Sequence, residues 1–187
     1  VNVELRDLFK PGPAWVGIDP GQRTSGLCRI EPVARCEWRP TLALARAPNP
    51  AVADCLANAR GLAGVGIETA SCYGLPVGAS VFETVLWAGR FAQAAFACTE
   101  NVFLVTRAQV KRALCPGERA NDVAVRQRLL SMFGPVKGVG SHAWAALAVA
   151  FVCATGNIAV RAEKPGYAPV PGRVVRARAA SLSQWRI

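Results

Sequence analysis

Short apolar runs that stop at turn residues alternate along this chain with longer segments of helical spacing, and their order predicts the architecture. Ala14 to Ile18 reads as a strand that ends at Asp19, and Pro20-Gly21 then turns the chain. A second strand is expected from about Ser25 to Ile30. A third is expected between Arg35 and Leu44, where Pro40 argues for a sheet edge or a break. Pro48-Asn49-Pro50 opens a helix running to about Ala59, with Pro50 near the first turn, where a missing N–H is harmless. Leu62 to Ile67 is the next apolar strand, and it delivers Glu68 at its end.

A small-residue loop through Tyr73 and Gly74 follows, and then a long helix from about Ser80 to Cys98. Ala88, Gly89 and Ala92 leave a smooth strip on that helix, suited to close packing on the sheet or on a partner's equivalent helix. Asn101 to Thr106 is a last strand, and Arg107 to Leu114 a short helix stopped by Cys115-Pro116-Gly117. Asn121 or Asp122 starts a helix through Met132, and Ser141 is expected to cap a final core helix from His142 to about Ala154. Three strands, helix, strand, helix, strand, then helices describe a mixed α/β sheet with helices on its faces. Residues 1–156 form the domain. Residues 157–187, basic and without sustained period, read as an extended arm laid on a surface or on nucleic acid.

Composition narrows the partner. The 187 residues suit one domain, and 52% hydrophobic residues exclude a disordered chain. Formal charge is +10, from 22 Lys and Arg against 12 Asp and Glu. Arginine supplies most of the positive side, and its guanidinium is suited to phosphate forks, so nucleic acid is the expected partner. Seven cysteines with no zinc-knuckle spacing and a single histidine leave little material for a Cys and His metal site. They read as free thiols in a reducing compartment. The absence of a signal-peptide pattern or an apolar stretch long enough for a membrane span points to a cytoplasmic protein with no membrane partner.

Asp19 and Glu68 each stand where a buried strand stops. A carboxylate held this way suits a Mg2+ ligand, because that ion demands near-ideal octahedral oxygen geometry; equally, an Asp-Pro-Gly carboxylate can cap its own turn. If the two strands are neighbours, the two acids would repel unless a cation intervened. With further ligands they could hold a metal pair about 4 Å apart that activates water against a phosphodiester.

Gly17-Ile18-Asp19-Pro20-Gly21 with Ser25-Gly26 resembles the opening motif of the RuvC family of Holliday-junction resolvases, in the ribonuclease H-like superfamily. Val65-Gly66-Ile67-Glu68 is similar to that family's second carboxylate strand. Leu86-Trp87-Ala88-Gly89-Arg90 resembles its dimer-forming helix, Gln109-Val110-Lys111 its next element, and Ser141 to Ala150 the final helix bearing the last metal ligands. Phe82-Glu83-Thr84 and Asp122 to Gln127 are most similar to the divergent RuvC-like proteins of bacteriophages and prophages. The resemblance covers about residues 14–154 and implies an α/β ribonuclease H-like fold, a mixed five-stranded sheet with helices on both faces. It implies a homodimeric endonuclease that uses Mg2+, with Mn2+ able to substitute, to cut branched double-stranded DNA such as Holliday junctions.

In that reading Asp19, Glu68, Asp122 and His142 are the catalytic and metal-binding residues. Lys111, Arg112 and Arg119 contact phosphate, and Tyr73 is placed like the aromatic residue that probes the junction centre. One position departs from the pattern. The family's last helix carries two ligands three residues apart, and here they fall on His142 and Ala145. Alanine binds no cation, so either Asp122 replaces the acid or the chain was made with the carboxylate at 145 removed, an inactivated resolvase. Asp122 and His142 also read simply as residues at helix starts, the acid favoured there by the helix dipole. A junction-binding protein without catalysis is therefore the alternative to the nuclease. A sugar-kinase or ATPase relative is a third reading, of which the absence of a GxxxxGK[ST] loop excludes only the P-loop kind.

Overall fold

The alternation of side chains along the first strand accounts for the layering of the molecule. In the computed structural model, which describes residues 5–34, 37–71, 76–116, 120–136 and 140–156, a 3-10 turn at Leu5–Phe9 leads into β1 (Gly12–Asp19). Ala14, Val16 and Ile18 of β1 point into one apolar core, while Trp15 packs against the other. Every second residue of a strand faces the same way, so Gly17 and Asp19 share the side of Trp15.

The chain continues as β2 (Thr24–Ala34), β3 (Glu37–Pro48), α1 (Asn49–Asn58), β4 (Leu62–Thr69), α2 (Ala79–Ala95), β5 (Val102–Thr106), α3 (Arg107–Leu114), α4 (Asp122–Phe133) and α5 (Ser141–Ala154). The strands form one five-stranded sheet in the order β3-β2-β1-β4-β5. β1, β2 and β3 make an antiparallel meander, whereas β4 and β5 run parallel to β1. Helices α1 and α2 cover the first core, with Val52, Leu56 and Phe91 fully buried. Helix α5 lies across the second with α3 and α4, burying Leu147, Val149 and Val152. The mixed sheet with helices on both faces is the architecture expected from the sequence.

Two glycines set how closely α5 lies on the sheet. A Cβ on Gly17 would collide with the backbone of Ala146 and lie 2.7 Å from the Ala150 nitrogen. A Cβ on Gly26 would collide with the His142 backbone. Gly26 faces Asp19 across the β1–β2 ladder, so the missing side chain admits the first turn of α5 beside that carboxylate. The turn after Asp19 is held from the other side: Ser25 Oγ donates to Asn49 Oδ1 at 2.7 Å, and Asn49 Nδ2 donates to the Gly21 carbonyl at 2.9 Å. Asn49 is fully buried at the start of α1.

Some boundaries differ from the sequence expectation. β1 begins at Gly12 rather than Ala14, and β2 runs on to Ala34. β3 extends to Pro48, because the ladder with β2 persists through Ser25 with Ala47 and Thr24 with Pro48. Pro40 sits inside this edge strand, where a missing donor is tolerated. Ser141 is the first residue of α5 and not its cap. The Gly140 carbonyl accepts the Trp144 N–H at 3.1 Å, which makes Gly140 the N-cap. The smooth strip of α2 is split: Ala88 and Ala92 are buried against the sheet, while a Cβ on Gly89 would meet nothing within 4 Å.

Cys28, Cys55, Cys98, Cys115 and Cys153 are free thiols, and burial pushes those of Cys28 and Cys153 up to about 12. Cys36, Cys72 and the arm at 157–187 lie outside the described residues. Among the described residues no helix is long and apolar enough to cross a membrane.

Candidate carboxylate site at the sheet edge

Asp19 closes β1, and Glu68 is the penultimate residue of β4. The two strands are adjacent and parallel, with Ile18 paired to Ile67. The next residue of each strand therefore emerges at the same edge of the sheet. Gly17 and Gly66 both face α5, so the two-residue repeat puts Asp19 and Glu68 on that side as well. Each carboxylate side chain retains little exposure, 16% for Asp19 and 15% for Glu68.

Burial dominates their protonation. It raises the Asp19 carboxyl above the ordinary range, against the lowering pull of the His142 hydrogen bond and the Arg107 charge. It raises Glu68 further, to about 7, with Asp19 adding repulsion and Arg107 opposing. Two acids whose ionised forms are disfavoured side by side make a pair that recruits positive charge.

Two cationic or donor groups answer it. His142, in the first turn of α5, places Nδ1 2.8 Å from Asp19 Oδ2, and the ring N–H donates to the carboxylate. Arg107, the first residue of α3, directs Nη1 to Glu68 Oε2 at 3.0 Å and Nη2 to Asp122 Oδ1 at 3.3 Å. Lys111, one helical turn further on, reaches the same Asp122 oxygen at 2.9 Å. Those two partners, Lys111 first, hold the Asp122 carboxyl below its ordinary value, although its side chain is 64% exposed.

Thr106 fixes the direction of α3. Its hydroxyl accepts the Gln109 backbone N–H, and the Gln109 side chain accepts the Thr106 N–H at 2.7 Å, a reciprocal cap. Beyond Arg107 lies a cavity of about 270 Å3, lined by Arg107, Asp122, Arg126, Ser141, Trp144 and Ala145 among others. The Arg126 guanidinium stands 5.6 Å from the Trp144 ring centre, a cation–π distance.

Of the residues singled out in the sequence, the structure thus brings Asp19, Glu68 and His142 together. It connects Asp122 to Glu68 through Arg107, and adds Lys111 on the far side of Asp122. Arg112 is exposed on α3. Tyr73 and Arg119 lie outside the described residues. Arg107 was not foreseen. Its one signal in the sequence is its place directly after a strand, which a parallel sheet turns into a third position at the same edge as Asp19 and Glu68.

A mixed five-stranded sheet with paired carboxylates at the ends of two central parallel strands is an α/β arrangement of the ribonuclease H-like type. Solved structures make the likeness more specific, and the fold is RuvC-like. Thermus thermophilus RuvC in complex with a Holliday-junction substrate matches with a TM-score of 0.60 at 20% identity, over 78% of this chain and 98% of that one. A second Thermus thermophilus RuvC structure gives 0.59 at 22% identity, over 77% and 97%. No protein-family model matches the sequence, and no curated protein does.

Among the described residues no group of three or more His, Cys, Asp and Glu is arranged to hold a metal. Ala145, where the resemblance calls for an acid, presents only a methyl beside the cavity. Asp122 is tied up by Arg107 and Lys111. The described residues do not by themselves complete a divalent centre, and positive charge at Glu68 comes from a guanidinium.

Proposed function

We propose that this chain binds branched double-stranded DNA through a RuvC-like fold whose carboxylate site lacks an acid at position 145. The observation that carries the reading is the likeness, over 78% of the chain, to a RuvC bound to a Holliday-junction substrate. The net charge of +10 supports it, since phosphate contacts supply most of the affinity of such complexes. Arg107, Lys111, Arg112 and Arg126 supply cations around the carboxylate edge. A homodimer belongs to the same proposal. Phe82, Val85 and Leu86 expose 65%, 41% and 54% of their surface along α2, and an apolar face of this kind suits a second copy.

Fluorescence anisotropy with a labelled four-way junction and a duplex of equal length tests the proposal. The junction is expected to bind at least about tenfold more tightly, with affinity falling steeply as salt rises. Equal affinity for the two DNAs would refute structure-selective binding.

One observation favours a second reading, hydrolysis of the junction phosphodiester with Mg2+ or Mn2+. Asp19 and Glu68 stand side by side on adjacent strand ends, held by a sheet that fixes their geometry. The same labelled junction distinguishes the readings. Cutting by the parent that requires added metal and vanishes in Asp19→Asn, with binding retained, selects the nuclease. An intact junction under those conditions selects the binding protein.

A further inference from the structure

We infer that Arg107 is the resident cation of this carboxylate cluster and excludes divalent metal from it. The inference rests on the cluster being the working site, and it assigns that site's cation specificity to one side chain. Three observations carry it. The guanidinium lies 3.0 Å from Glu68 and 3.3 Å from Asp122, so its two nitrogens engage carboxylates from two different elements. A planar fork with fixed donor directions is suited to that bridging, and a point-charge ammonium is not. A second cation at Glu68 would have to displace the arginine or sit against its charge, which costs more in a partly buried site than in water.

The second observation is the fixed origin of the arginine. It opens a helix whose first turn is locked by the Thr106 and Gln109 cap, and it follows directly on β5, whose Val105 is paired with Glu68. Arg107 therefore starts close to Glu68 by backbone placement alone. The third is Ala145, buried at 5% exposure and lining the cavity beside Arg107. A carboxylate there would add a competing acceptor; the methyl leaves the guanidinium to Glu68 and Asp122.

Manganese titration followed by electron paramagnetic resonance, on the protein without DNA, tests this directly. Binding or loss of DNA affinity plays no part in the readout, so its failure is separate from failure of the DNA-binding proposal. The parent is expected to bind Mn2+ weakly. Arg107→Gln keeps a polar side chain but removes the charge and the reach of the fork; it should bind at least about tenfold more tightly. Adding Asp19→Asn to Arg107→Gln should abolish that gain, which places the ion at this cluster. Arg107→Lys, unable to bridge both acids, should show a smaller gain of the same sign.

Lys111→Gln makes the same charge change at a residue that touches Asp122 but not Glu68, and should stay near the parent. Thermal melting of each variant checks that it is folded. Mn2+ held tightly by the parent and lost in Asp19→Asn overturns the inference whatever the variants do. A gain in Lys111→Gln equal to that in Arg107→Gln overturns it as well, by showing that net charge and not the arginine fork decides.

Discussion

Glu68→Gln should change how stability depends on pH, and the structure gives both the sign and the size. Burial raises the Glu68 carboxyl from 4.5 to about 7 in the folded protein. Between those values the folded state holds a proton that the unfolded chain has released. The resulting stability is fully present below the unfolded value and is lost as pH rises through the folded one. At 1.36 kcal/mol for each pH unit, the interval corresponds to about 3 kcal/mol. Gln has the same shape, offers Arg107 an acceptor oxygen and does not titrate. Urea unfolding of parent and variant at about pH 4 and about pH 8 isolates the effect, since most other titrating groups are common to both proteins. The variant should gain on the parent by about 3 kcal/mol between the two conditions. A stability difference that stays constant across that range would refute the argument, by showing that Arg107 keeps Glu68 ionised despite its burial.

Other expectations follow from packing. Gly17→Ala pushes a methyl into the backbone of α5 and should cost at least about 1–3 kcal/mol, measured by urea or thermal unfolding. Gly89→Ala, with open space around it, should be neutral or stabilising by up to about 1 kcal/mol; a large loss there would mean that its helix face is covered. Leu86→Glu, on the exposed face of α2, should convert a dimer to monomer in sedimentation velocity, and a parent that sediments as a monomer would remove the dimer from the proposal.

The sheet was legible because each of its central strands is a run of apolar residues bounded by turn residues. β1 and β4 read clearly, since they are largely buried on both sides and carry an acid at or next to their last residue. Their far boundaries were less clear. β3 continues past Leu44 only because it pairs with β2 as far as Pro48, and pairing leaves no mark on the edge strand's own periodicity. Ser141 looked like a cap because its side chain is of the capping type. The cap instead falls one residue earlier, on Gly140, where a Cβ would press on Ala45 at 2.9 Å. Contact with β3 chose that residue, and the local sequence does not record it.

The site divides along the same line. Asp19 and Glu68 are found from sequence because strand-end position is a local property, readable one strand at a time. What neutralises them is not local. Arg107 opens an ordinary-looking helix, and the residue before it belongs to a strand with no acid of its own. Only the register of β4 with β5, Glu68 beside Val105 and Thr69 beside Thr106, brings the start of α3 to the carboxylates. Asp122 has the same ambiguity in reverse. As a helix-start acid it needs no partner, yet its position between Arg107 and Lys111 makes it the outer anchor of the guanidinium. Strand order thus sets a guanidinium beside Glu68, at a site with no acid at 145. No motif in the chain carries that information.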